Sequence, residues 1–118
     1  MKFDTYTMLL LVHPPDAPEL SESEADALQD AHLAHQAELA EKGYVVATGP
    51  LVDQQDERLR GVAFMSVDQE KARTLYADDP AVRAGRLAIE TMTWMTIAGN
   101  VRFEPTRLPR SMAEAESD

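Results

Sequence analysis

The order of elements along the chain predicts an α+β protein of ferredoxin-like topology, βαββαβ. Two helices would cover one face of a four-stranded antiparallel sheet. Three observations lead there. Runs rich in β-branched, aromatic and aliphatic residues recur at 3–13, 44–48, 60–67 and 87–97. Two stretches of helical composition, 22–42 and 68–77, fall between the first and second runs and between the third and fourth. Capping residues and chain breakers stand at the joints.

The first run, FDTYTMLLLVH, ends at Pro14 and Pro15. Both of its faces are apolar toward the C-terminal end, which predicts a strand covered on both sides. Ser21 and Glu24 have the spacing of a capping box for the first helix, and Gly43 suits the position just past its end. Tyr44 to Thr48 form the second strand, which Gly49-Pro50 is expected to break. The third strand pairs with it as a hairpin. Asp68 is the expected N-cap of the second helix, whose apolar face is Ala72, Leu75 and Tyr76. Asp79-Pro80 then reads as a cap and first position of a short helical turn. The fourth strand holds Met92 and Trp94 on one face and Ile89, Met95 and Ile97 on the other. An apolar sheet face of that size needs cover. A second copy, packed sheet to sheet, is the expected occupant, so the protein is read as a homodimer.

Residues 1–98 are read as one domain and 99–118 as a C-terminal extension whose acidic end, 112–118, is disordered. A chain of 118 residues suits a single core. It has no cysteine, which excludes disulfides, thiolate nucleophiles and thiolate metal sites. The net charge of −10, with its 11 basic residues dispersed, argues against nucleic acid as a partner. No apolar run is long enough to span a membrane. No segment has the pattern of a signal peptide, and the expected location is the cytoplasm.

The chemistry is expected in the stretch 31–51. At 100° per residue, Leu28, His32, His35 and Leu39 share one helical face. Both imidazoles therefore point inward, where a polar ring needs a partner. His32 is open to two readings, a general base or a histidine bonded to a backbone carbonyl. His35, one turn along, could contact a ligand. Gly49 and Pro50 could let backbone approach a pocket floor, and Arg83 or Arg86 could bind a carboxylate or phenolate. His13 flanks a loop near the same end. No third ligand accompanies the two helix histidines, so no metal site is expected, and without a glycine-rich phosphate loop no nucleotide cofactor either.

Ala31-His32-Leu33-Ala34, Gly43, Ala47-Thr48-Gly49-Pro50 and Ala77-Asp78-Asp79-Pro80 with Ala84-Gly85 carry a family likeness. Over residues 3–97 the chain resembles the YciI-like (YCII-related) proteins, small bacterial proteins of the dimeric α+β barrel superfamily. The resemblance implies a ferredoxin-like fold, a dimer, and a pocket where helix meets sheet. It also implies a His–Asp pair as active site, which maps onto His32 and Asp79. One family member is a dehydrochlorinase acting on a chlorinated hydroxyquinol. Proton transfer to or from a small aromatic or hydroxylated substrate, in an elimination or isomerisation, is the expected activity. A non-catalytic small-ligand or interaction module of the same fold is the alternative.

Overall fold

Local signals place the long helix. The structure, a computed structural model, describes residues 1–117. At Ser21 the hydroxyl accepts from the Glu24 backbone N–H at 3.2 Å, and the Glu24 carboxylate accepts from the Ser21 N–H at 3.1 Å, closing a capping box. Helix α1 (Glu22–Glu41) starts there. At its other end Gly43 takes φ +82°, and the Tyr44 N–H returns to the Leu39 carbonyl at 2.9 Å. A residue with a Cβ is strained in that left-handed conformation, which is why glycine ends the helix.

Strand β1 (Phe3–Val12) precedes α1, and β2 (Val45–Pro50) and β3 (Leu59–Met65) follow it. Helices α2 (Gln69–Ala77) and α3 (Pro80–Arg83) then lead to β4 (Ala88–Ile97), and a short helix α4 (Met112–Glu116) ends the described chain. The sheet order is β2-β3-β1-β4 with every neighbouring pair antiparallel, the ferredoxin-like arrangement expected.

One boundary differs from the sequence reading. Gly49-Pro50 does not break β2, because Gly49 pairs with Val62 and Pro50 with Gly61. Strand β2 is an edge of the sheet, where the N–H that proline lacks is not needed by a second neighbour. Gly61 opposite is buried, and a Cβ there would meet the Gly49 carbonyl and a Leu11 methyl at 3.3 Å. Three strands thus come together closely at this end of the sheet.

Leu9, Leu11, Ala63 and Met65 point from the sheet to Leu39 of α1 and to Ala72 and Tyr76 of α2, forming the core. The opposite face carries an aromatic group. Tyr6 and Trp94 are cross-strand partners, and Phe64 lies 5.3 Å from Trp94. Phe103, from the extension, meets Tyr6 edge-on at 5.0 Å and Phe64 at 6.0 Å. The extension thus lays part of itself on the sheet face where a second copy was expected. The acidic end, for which disorder was expected, carries α4, seated on α1; Asp118 lies outside the described residues. Among the described residues no helix is long and apolar enough to cross a membrane.

Candidate active site

The site is built on one buried carboxylate. Asp79 is the N-cap of α3, with Pro80 at the first helical position. Its Oδ2 accepts from the backbone N–H groups of Ala81 and Val82 at 3.0 and 3.2 Å. Its Oδ1 meets two imidazoles, His32 Nδ1 at 2.8 Å and His35 Nδ1 at 3.1 Å. The two histidines are three residues apart on α1, so the helix aims both at one acceptor. Asp79 is fully buried and His32 is 4% exposed.

Electrostatics decide the proton positions. Burial alone would raise the Asp79 pKa, but the hydrogen bonds from His32 and then His35, the attraction of the His32 ring in its protonated form and the Val82 N–H outweigh it and hold the carboxyl at about 2. Near neutral pH Asp79 is therefore an anion that can only accept. Both rings must donate Nδ1–H to it, which leaves the lone pair of each neutral ring on Nε2. Among the described residues His32 Nε2 bonds no group, and no buried side-chain nitrogen or oxygen lacks a partner, so Nε2 is not sealed off. Since His32 lines the adjoining cavity, Nε2 opens onto it.

That cavity measures about 720 Å³. Leu11 of β1, Thr48 to Pro50 of β2 and Gly61 of β3 form its floor, and Leu28, His32, Leu33 and Gln36 of α1 form one wall. Leu108, Pro109 and Met112 of the extension form another. The lining is mainly apolar, with the charged groups Asp26, Arg60, Arg86 and Glu116 among it.

His32, His35 and Asp79 are brought together, and Gly49 and Pro50 line the cavity beside them. His35 touches Asp79 and packs edge-on against Tyr76 at 5.9 Å, off the cavity. Arg83 is exposed in the last turn of α3 and is not part of the cavity lining. Arg86 lines the cavity instead, tied by a guanidinium N–H to the Pro18 carbonyl at 2.9 Å. His13 also lines it.

Gln36 escaped the sequence reading. It is 7% exposed, lies four residues after His32 and lines the same cavity. Its Oε1 accepts from the Tyr76 hydroxyl at 2.8 Å and lies 3.1 Å from Thr48 Oγ1. The spacing from His32 was the available signal. The extension's wall left none, because the periodicity of the chain fades after residue 98. Among the described residues no group of three His, Asp or Glu side chains is arranged to hold a metal ion.

Among solved structures, the chain is similar to the 5-chloro-2-hydroxyhydroquinone dehydrochlorinase (TftG) from Burkholderia phenoliruptrix AC1100, solved in complex with 2,5-dihydroxybenzoquinone. The two are 18% identical, with 75% of this chain and 90% of that chain covered and a TM-score of 0.47. No curated protein matches. The family model of the YCII-related domain matches residues 7–95, three-quarters of the chain, with β2 and β3 whole and most of β1 and β4, and the protein belongs to that family.

Proposed function

We propose that this protein is a small-molecule enzyme of the cytoplasm that works by general acid–base proton transfer. His32 Nε2 takes or gives the proton, and Asp79 orients the ring. The reaction class is elimination, of the dehydrochlorinase kind, or isomerisation. The substrate is small and aromatic or hydroxylated. The observation that carries this reading is the 2.8 Å contact between His32 Nδ1 and Asp79 Oδ1, with the opposite ring nitrogen on the cavity.

An imidazole is suited to proton transfer near neutral pH. An ionised carboxylate on Nδ1 holds the tautomer and stabilises the imidazolium formed when Nε2 accepts a proton. In an elimination, His32 removes the proton, the electron pair left behind forms the new double bond, and the halide departs with its own bonding pair. Leucines at 11, 28, 33 and 87 suit a flat ring in the cavity. The second reading, a binding module, is favoured by the burial of His32, since a nearly sealed histidine bonded to a carboxylate also serves packing alone.

The test offers a panel of halogenated hydroquinones and small enolisable ketones to the full chain. Halide release and uptake of solvent deuterium are the readouts. His32→Gln should lower turnover by about 10² to 10⁴-fold with the circular dichroism spectrum retained. Turnover unchanged in that variant sinks the reading. Compounds that bind but are never converted would make the module the better description. The reading includes a homodimer through the part of this sheet face that Phe103 leaves open, where Met92 is exposed beside Trp94, and a solution mass of one chain, 13.1 kDa, would overturn that part.

A further inference from the structure

We infer that Gln36 is a second functional side chain of the cavity, its carboxamide N–H₂ binding a substrate oxygen beside His32. This assignment rests on the general-base reading of His32 and narrows the substrate class. The molecule carries a carbonyl or phenolic oxygen that gains negative charge as the neighbouring proton leaves.

The orientation of Gln36 follows from its neighbours. Tyr76 is fully buried, and its hydroxyl hydrogen needs an acceptor, which is Gln36 Oε1 at 2.8 Å. Burial, and then the charge of Asp79, push the Tyr76 pKa up, so the phenol keeps that hydrogen at any ordinary pH. Thr48 Oγ1 lies 3.1 Å from the same oxygen and also bonds the Val62 carbonyl at 2.8 Å. If the amide were reversed, the nitrogen would face both hydroxyls and the Tyr76 hydrogen would lose its acceptor. Oxygen therefore faces the interior.

The nitrogen is left over. Among the described residues Gln36 Nε2 has no hydrogen-bond partner, and no buried side-chain nitrogen is without one, so Nε2 is not sealed off. Gln36 lines the cavity, so its two N–H groups open there. Any buried acceptor could satisfy Tyr76, and glutamine adds two unused donors on the side where His32 Nε2 also emerges. The residues are four apart on one helix and share a face. Held by α2 through Tyr76 and by β2 through Thr48, the amide is a donor fixed before substrate arrives. The proton would pass from substrate to His32 Nε2, and its electron pair would move onto the adjacent oxygen, where Gln36 donates. In an elimination the pair returns and expels the halide.

The test uses the full chain with 4-nitrophenol and chlorohydroquinone as probes. Gln36→Glu keeps shape and the acceptor for Tyr76 but removes the donors. Gln36→Leu combined with Tyr76→Phe removes the whole hydrogen-bonded pair and leaves no orphaned hydroxyl. Both variants should weaken phenolate binding by tenfold to a hundredfold. The Gln36 side-chain amide signals in ¹H–¹⁵N spectra of the wild type should shift on titration. In the turnover assay kcat should fall more than KM rises, which a packing role would not produce. Phenolate binding unchanged in both variants overturns the assignment even if His32→Gln abolishes turnover, and so does a wild type that binds neither probe. If His32→Gln leaves turnover intact while Gln36→Glu abolishes phenolate binding, the general-base reading fails and the oxygen-binding role of Gln36 stands.

Discussion

Two walls of the cavity are built by opposite means. The α1 wall is backed by buried polar contacts, with His32 on Asp79 and Gln36 on Tyr76. The extension's wall is attached at the surface. The Met112 N–H donates to Asp30 Oδ1 at 2.8 Å, Arg110 pairs with Glu41, and Arg107 with Glu114 inside the segment itself. A buried hydrogen bond has no water to replace it when broken, whereas an exposed ion pair exchanges with water and salt at little net cost. The α1 wall is held firmly, and the extension's wall is weakly attached.

Three measurements would break or sharpen that contrast. Asp79→Ala should have the largest effect. It strands two imidazole N–H groups and two backbone N–H groups in the interior, for a loss of about 3 kcal/mol or more. A thermal or urea transition at the wild-type midpoint would show that Asp79 does not anchor the α1 wall.

Acid should come next. The folded-state pKa of Asp79, about 2, lies below the ordinary 3.8, so its stabilisation is complete above about pH 4 and lost as pH falls from there toward 2. The loss is about 2 kcal/mol, and the difference between wild type and Asp79→Asn in urea midpoint should shrink over that window. A constant difference would mean that the carboxylate's charge is not what is being measured.

The smallest change in stability should follow removal of residues 106–118. Loss of its exposed ion pairs costs about 1 kcal/mol or less, yet the cavity loses a wall. His32 should then react several-fold faster with diethyl pyrocarbonate. An unchanged rate would show that the extension does not restrict access to Nε2.

Much of the fold was legible because its signals are local. Ser21 with Glu24, Asp68, and Asp79 with Pro80 act within about four residues, and each caps the helix expected of it. Helical periodicity likewise turned His32 and His35 inward. The end of β2 was misjudged because tolerance for Pro50 depends on an edge position, which is a property of the sheet. Gln36 was overlooked because a glutamine on a helix is ordinarily a surface residue, and its burial depends on Tyr76, forty positions away.

By itself the sequence determined the element order, the helix ends and the inward face of α1, since these follow from backbone sterics and contacts a few residues long. The tertiary structure decided that the same Asp79 side chain that caps α3 gives its other oxygen to two imidazoles of α1. It also decided that Gln36 turns its donors to the cavity and that Leu108, Pro109 and Met112 close it. Those arrangements join residues 40 to 82 positions apart. Burial sets their strength, and burial exists only once the sheet and helices have packed.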